Sequence, residues 1–141
     1  GRGAYNYEPG SRVPIPDPEV LEIAKQEAER LGVSQRSDIS DEEILVRVMY
    51  SLINEGAAIL DEGIAAKSSD IDVIYVYGYG FPVYRGGPMQ YADEVGLSTI
   101  LDKLTTYRDQ LGEYGKMWLE PSELLVKLAK EGGTFKNFTS K

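Results

Sequence analysis

Asn54 and Glu55 form a polar pair in the middle of a long segment with helical periodicity, and Glu55 is the member whose type suits acid–base chemistry. A catalytic glutamate needs burial that raises its pKa toward neutrality. At 100° per residue, Glu55 falls at the edge of the polar arc, which favours an interhelical hydrogen bond or a capping contact over catalysis. We therefore predict that both residues contact a substrate or a neighbouring domain without doing chemistry.

The chain contains no histidine and no cysteine. Histidine is the commonest general base near neutral pH, so its absence excludes Ser-His-Asp hydrolases, His-based metal sites and His-dependent dehydrogenases. The absence of cysteine excludes disulfides and thiolate metal sites. The acidic clusters fall mostly in predicted first turns of helices, and none has the spacing of a calcium loop. We predict no catalytic residue, no cofactor-binding residue and no metal ligand in these 141 residues.

Arg85 follows Tyr84 in a loop flanked by glycines. A guanidinium there could clamp a phosphate or a carboxylate, or it could bond loop carbonyls or Asp93, and the sequence leaves both readings open. Tyr77 and Tyr79 belong to the same tyrosine-rich segment. Tyrosine suits an interface as well as the rim of a core, so this segment has two interpretations of equal weight.

The segment Gly78-Tyr79-Gly80-Phe81-Pro82-Val83 superficially resembles a dinucleotide-binding loop. That fingerprint needs a third glycine that opens a helix after a strand. Val83 stands at that place and Pro82 interrupts the pattern, so a rigid turn around a packed Phe81 is favoured over nucleotide binding.

The formal net charge is −8. A nucleic-acid partner or an anionic lipid surface requires a basic face, so neither is predicted. No apolar run approaches the roughly 18 residues of a membrane span. The chain opens without Met and without a signal pattern, and we expect it to begin inside a longer natural polypeptide.

The elements that would position these side chains are predicted to be helices. N-caps, prolines at first helical positions, glycine stops and apolar periodicity give the following segments: Pro18–Leu31, Asp41–Ala66, Pro88–Val95, Ser98–Leu111 and Pro121 to Gly132. Residues 70–80 fit either a strand or a short helix, and we favour the helix, mainly on the resemblance described below. The predicted fold is all-α, with five to six helices and one long central helix.

The long helix carries a polar arc that includes Arg47 and Asn54, and an apolar face opposite. Arg47 and Asp93 are also predicted to contact substrate or a neighbouring domain. The predicted apolar face comprises Leu45, Val48, Met49, Leu52, Ile53, Ile59 and Leu60. Gly56 and Gly63 also fall on this face. Since glycine costs about 1 kcal/mol inside a helix, two of them on the buried side indicate close approach of another backbone.

Three stretches together resemble the C-terminal domain of 3-hydroxyacyl-CoA dehydrogenases. They are Arg47 to Ala65 ("RVMYSLINEGAAILDEGIA"), Ser69 to Asp93 ("SDIDVIYVYGYGFPVYRGGPMQYAD") and the opening "GRGAYNY". In such enzymes a Rossmann domain binds NAD and supplies a His-Glu pair, and a first helical domain closes over the acyl-CoA. Multifunctional members add an enoyl-CoA hydratase module in front and a second helical copy behind, and the "YRGGP" loop is typical of that second copy.

The resemblance implies a parent enzyme of fatty-acid β-oxidation, but it also implies that this part of the enzyme is non-catalytic. The family's Asn-Arg dipeptide falls on Val46-Arg47, so its active-site Asn is missing. The implied organisation is 1–16 as the tail of a preceding helical domain with a linker, 17–134 as the C-terminal helical domain, and 135–141 as a frayed tail. The implied role is that of a non-catalytic pseudo-dimer partner.

The partners implied are the Rossmann and first helical domains of the same polypeptide, with acyl-CoA bound by the whole enzyme. We also predict that the isolated chain forms homodimers. The expected location is the cytoplasm of a bacterium, or the peroxisome in a eukaryote. The alternative hypothesis is a self-standing acidic helical interaction module with no enzymatic parent.

Overall fold

A computed structural model of the chain describes residues 3–33 and 36–139. Helices make up most of it and strands very little, which confirms the predicted all-α class. The chain forms two compact units, Gly1–Asp38 and Ile39–Lys141. The predicted division after residue 16 differs from this one, because the first helix clusters with the segment before it and not with the later helices.

The first unit contains two short antiparallel strands and one helix: β1 (Tyr5–Asn6), β2 (Ile15–Pro16) and α1 (Pro18–Arg30). The Asp17 carboxylate caps α1 by accepting the backbone N–H of Glu19 at 3.0 Å, as the sequence predicted. It also accepts the side-chain amide of Asn6 at 3.0 Å, which ties the strand to the helix start. The glycines and prolines of residues 1–16 predict no regular element there, and the two short strands show that this prediction is wrong, although residues 1 and 2 lie outside the described part.

The apolar side of α1 is exposed. None of its residues is buried, and Leu21 is 57 % exposed. A shallow groove of about 620 Å³ follows this side, lined by Leu21, Ala24, Lys25, Ala28, Glu29, Gly32 and Val33. The spacing of Leu21, Ala24, Ala28 and Leu31 predicts an apolar stripe on this helix, and in the structure this stripe is not buried.

The second unit holds six helices and two short 3-10 turns. They are α2 (Asp41–Asp61), α3 (Ser68–Gly78), a turn at Val83–Arg85, α4 (Pro88–Val95), α5 (Leu97–Gln110), α6 (Gly112–Leu119), α7 (Glu123–Glu131) and a turn at Phe135–Asn137. The helical interpretation of residues 70–80 is confirmed, and so are the bounds of α4. Helix α6 was not predicted. Gly112 ends α5 as expected, but its φ of 57° turns the chain directly into another helix.

Two predicted helix starts are wrong by one or two residues. Ser98 does not cap α5, which begins at Leu97 after Gly96 with a φ of 93°. Pro121 does not open α7, because the hydroxyl of Ser122 accepts the N–H of Leu125 at 3.3 Å and sets the start at Glu123.

The predicted end of the central helix at Ala66 is also wrong, since α2 ends at Asp61. Gly63 lies beyond that end, is exposed and has a φ of 73°, so it terminates the helix and does not lie on its buried face. Gly56 is buried as predicted, but its neighbour is a side chain: a Cβ there would lie 2.5 Å from Sδ of Met89. Close backbone contact occurs at Gly115 instead, where a Cβ would collide with the carbonyl of Arg108.

The core lies between α2, α4, α5 and α7. Its fully buried large side chains are Phe135, Ile53, Leu60, Met89, Ile100, Leu104, Leu124 and Leu125. On α2 the predicted apolar face is only partly correct, because Leu45 and Val48 are 58 % and 63 % exposed. The buried side of α2 is instead formed by Tyr50, Ile53, Gly56, Ala57 and Leu60, and Arg47 and Asn54 on the polar arc contact other parts of the same unit, as described below.

The C-terminal segment packs onto α4. The Asp93 carboxylate accepts the backbone N–H of Phe135 at 2.8 Å and that of Lys136 at 3.0 Å, and Phe135 is fully buried. Thr139 pairs with Lys67 in an isolated antiparallel bridge. The predicted frayed tail is therefore wrong for residues 135–139, while residues 140 and 141 lie outside the described part.

Candidate functional site

Arg47 joins α2 to α5. Its guanidinium pairs with the Glu43 carboxylate at 2.7 Å, and the two side chains are 22 % and 14 % exposed. The guanidinium carbon also lies 4.5 Å from the centre of the Tyr107 ring on α5, within the range of a cation–π contact. This predicted contact residue is therefore engaged inside its own domain.

Asn54 joins α2 to the segment that connects α6 and α7. Its amide donates to the carbonyl of Glu120 at 2.8 Å, and its carbonyl oxygen accepts the N–H of Ser122 at 2.8 Å. The interhelical hydrogen bond predicted for the Asn54-Glu55 pair is thus made by Asn54. Glu55 is exposed.

Asp72 is a buried carboxylate that caps α4 from a different helix. It accepts the backbone N–H of Met89 at 2.7 Å and that of Gln90 at 3.2 Å. Burial raises the pKa of Asp72, and these two hydrogen bonds oppose the rise. A Cβ on Gly87 would collide with this carboxylate, so the glycine at the N-cap of α4 makes room for it.

Ser69 and Asp72 have the spacing of a capping box, but they do not form one. The carboxylate of Asp70 accepts the N–H of Lys67 at 3.3 Å and performs the local capping. A signal was present, because the pair Gly86-Gly87 before Pro88 leaves α4 without a side chain at its own N-cap. A helix that begins in this way needs an acceptor from elsewhere in the fold.

Arg85 lies between two aromatic rings. Its guanidinium carbon is 5.5 Å from the ring centre of Tyr84 and 5.3 Å from that of Tyr91. It forms no ion pair with any residue in the described part of the chain. The predicted alternative of a contact with Asp93 is wrong, because that carboxylate is used by residues 135 and 136.

The predicted tyrosines differ in exposure. Tyr77 is 84 % exposed, Tyr79 76 % and Tyr84 83 %. Tyr75 is half-buried and stacks on Tyr79 with ring centres 5.2 Å apart. Burial, followed by the nearby Tyr79 and Glu55, raises the pKa of Tyr75. The core-rim interpretation therefore fits Tyr75, and the exposed geometry of an interface fits the other three.

Apolar side chains are also exposed on helices of the second unit, Met117 and Trp118 on α6 among them. We use the name uncovered face for two exposed apolar groups, Ile44, Leu45 and Val48 on α2 and Val73 and Ile74 on α3, each between 51 % and 63 % exposed. Exposed apolar groups of this kind are typical of surfaces that another protein covers. The arrangement therefore suits association more than chemistry.

Acid–base or metal chemistry finds little support in residues 3–33 and 36–139. The buried carboxylate of Asp72 is occupied with backbone amides, and no three acidic side chains gather closely enough to hold a metal ion. Over the same residues, no helix combines the length and apolar character needed to cross a bilayer.

Comparison with known proteins places this geometry in context. The family model described as 3-hydroxyacyl-CoA dehydrogenase, C-terminal domain, matches residues 44–137. The chain is 46 % identical, over 94 % of its length, to the peroxisomal bifunctional enzyme of Homo sapiens, and 45 % identical, over 94 %, to that of Danio rerio. It is 30 % identical, over 96 %, to the fatty acid oxidation complex subunit alpha of Shewanella loihica. In each case the match spans only 18 % of the relative's length.

Proposed function

Because this chain belongs to the 3-hydroxyacyl-CoA dehydrogenase C-terminal domain family, we propose that it is a non-catalytic helical part of a larger NAD-dependent dehydrogenase. The parent enzyme would oxidise 3-hydroxyacyl-CoA to 3-oxoacyl-CoA in fatty-acid β-oxidation and would carry an enoyl-CoA hydratase module as well. The names of the relatives, a bifunctional enzyme and a fatty acid oxidation subunit, support this parent.

The observation that carries the proposal is the uncovered face of α2 and α3. A pseudo-dimer partner must offer an apolar surface to the helical domain beside it, and Leu45 and Val48 offer one although the sequence pattern assigns them to a core. The missing chemistry supports the same role: the chain has no histidine, and Val46 replaces the family's active-site Asn.

The residues present do not fit NAD. A dinucleotide site needs a glycine loop between a parallel strand and a helix. Here Gly78 is the last residue of α3, so the glycine-rich segment follows a helix and not a strand. The two strands of the described chain are two residues long and antiparallel. NAD and acyl-CoA would accordingly bind to the rest of the parent polypeptide.

The chain would have the same cellular location as its parent enzyme. The relative from Homo sapiens is named as peroxisomal, and the relative from Shewanella loihica is named as a fatty acid oxidation complex subunit without a stated location. The higher identity to the relatives named as peroxisomal supports the peroxisome as the location.

Activity measurements test whether the dehydrogenase reaction requires the rest of the parent polypeptide. The 141-residue chain should show no NAD reduction with 3-hydroxyacyl-CoA, whereas the complete polypeptide that contains it should. A complete polypeptide without dehydrogenase activity would leave the self-standing interaction module as the explanation. An active isolated chain would overturn the non-catalytic role.

Charge substitutions on the uncovered face test the docking. In the complete polypeptide, Leu45→Lys with Val48→Lys should expose α2 to hydrogen exchange at least about tenfold faster, since an ammonium buried in an apolar interface is strongly unfavourable. In the isolated chain the same pair should convert the expected homodimer to a monomer in light scattering. Gln110→Lys, which adds a charge at an exposed position of α5, is the matched control and should change neither result. An unchanged exchange rate in the double variant would contradict docking through this face.

A further inference from the structure

Tyr84, Arg85 and Tyr91 form a cluster at the start of α4, which we call the arginine cluster. The Tyr84 ring is 83 % exposed, and the guanidinium lies between the two rings at 5.5 and 5.3 Å from their centres. Aromatic flanks hold an arginine in place without neutralising it, so its donors stay available.

The loop that carries this cluster is rigidly held. The N–H of Arg85 donates to the carbonyl of Pro82 at 2.9 Å, and the N–H of Phe81 donates to the carbonyl of Tyr75 at 2.9 Å. Pro88, after Gly86 and Gly87, starts a helix that Asp72 caps. A loop fixed at both ends presents its side chains without a large ordering cost on binding.

The charge of Arg85 is not balanced by the described part of the chain. No carboxylate there pairs with it, and Asp93 accepts the two amides of the C-terminal turn. Arg47 and Arg108, by contrast, each form an ion pair within the domain. An exposed arginine with aromatic neighbours and no internal partner has the composition of a protein–protein contact centre.

The shape of the cluster favours a protein over a small molecule. Small ligands bind in concave pockets that enclose most of their surface. Val83 and Tyr84 are 72 % and 83 % exposed and project from the surface, and the groove along α1 is lined by other residues. A planar guanidinium between rings matches a carboxylate, which it can bind through two hydrogen bonds.

The geometry points to the arginine cluster as a second docking contact, in which Arg85 binds an aspartate or glutamate side chain from the rest of the parent polypeptide. This inference rests on the proposed function, because the relatives are more than five times as long as the matched segment and the carboxylate would lie in that remainder. The uncovered face supplies apolar area, and the arginine cluster supplies a charge-specific contact that fixes orientation.

Zero-length crosslinking tests the contact directly. In the complete polypeptide carrying Arg85→Lys, carbodiimide should join the substituted ammonium to a carboxylate outside residues 1–141, detected by mass spectrometry of the linked peptides. The natural Lys127, exposed on α7, is the internal control and should give at least about tenfold less of such product, because a crosslink requires persistent contact. No product from position 85, or product only to carboxylates within residues 1–141, would overturn the inference.

Arginine labelling gives an independent readout on the unmodified side chain. Phenylglyoxal should modify Arg85 at least about tenfold more slowly in the complete polypeptide than in the 141-residue chain, since modification then requires local opening. Arg12, exposed in the first unit, is the comparison residue. Protection of Arg85 in the 141-residue chain by added coenzyme A would show that the cluster binds a phosphate instead and would also overturn the inference.

Failure of this inference differs from failure of the proposed function. If α2 is protected from hydrogen exchange in the complete polypeptide but Arg85 is neither crosslinked nor shielded, the docking domain stands and the arginine contact is refuted. If α2 gains no protection in the complete polypeptide, the docking role itself fails, and with it the basis for the arginine contact.

Discussion

The backbone N–H of Ser122 donates a hydrogen bond to the side-chain oxygen of Asn54 at 2.8 Å, across 68 positions of the chain. The same side chain donates to the carbonyl of Glu120 at 2.8 Å, so one amide satisfies both polar groups beside the start of α7. A residue that the sequence marks as a contact for substrate or partner is thereby a fixed link between helices. This link, with Arg47 against Tyr107, holds the polar arc of α2 toward its own domain.

Replacing Asn54 should destabilise the fold. Asn54→Ala leaves the Ser122 N–H and the Glu120 carbonyl without their partner, and we expect the free energy of unfolding to fall by about 1–3 kcal/mol. Urea denaturation of the 141-residue chain followed by circular dichroism measures it. Glu55→Ala, at the next and exposed position of α2, is the control and should change stability by less than about 0.5 kcal/mol. Equal effects of the two variants would show that the link carries no stability.

Asp72 should make stability depend on pH. Burial raises its pKa in the folded state above the ordinary value of 3.8, so below pH 3.8 its contribution is fully present. As pH rises through the folded-state pKa, the buried carboxyl ionises at a desolvation cost and that contribution is lost. The stability of the wild type minus that of Asp72→Asn should therefore fall as pH increases from about 3.8. Urea denaturation at several pH values measures this difference. A rising difference for Asp72→Asn would contradict the assignment.

Gly115 should not tolerate a side chain. Its Cβ would collide with the carbonyl of Arg108, which is backbone and cannot move away as a side chain can, so Gly115→Ala should cost about 1–3 kcal/mol or more. The thermal midpoint of the 141-residue chain should drop accordingly. Gly78→Ala is the matched control, because nothing lies within 4 Å of a Cβ at the last residue of α3. A neutral Gly115→Ala would show that α5 and α6 can separate without cost.

Phe135 should behave as a core residue. It is fully buried, so Phe135→Ala should lower the free energy of unfolding by about 3–5 kcal/mol. Asn137→Ala, exposed in the same turn, should have little effect in the same denaturation experiment. If the two variants matched, the segment after α7 would be the frayed tail that the sequence suggested.

The sequence by itself determined the all-α class, most helix positions and the family. These features depend on local rules: the spacing of apolar residues, the helix caps Asp17 and Ser40, and glycines that take positive φ where a helix ends. The absence of histidine is also a matter of composition, and the prediction that this chain is non-catalytic depends on it and not on geometry.

The tertiary structure alone decided which faces are covered. The apolar periodicity of α2 placed Leu45 and Val48 in a core, because it depends only on which residues are apolar. In the structure both are exposed, and Arg47 and Asn54 on the polar arc make the contacts with the rest of the unit. Asp72 capping α4 and Asp93 holding Phe135 join residues 17 and 42 positions apart, beyond the reach of any local pattern. A contact between distant segments depends on where the whole fold places them. The exposure of the uncovered face and the lack of an ion pair for Arg85 in the described residues likewise depend on the packed structure.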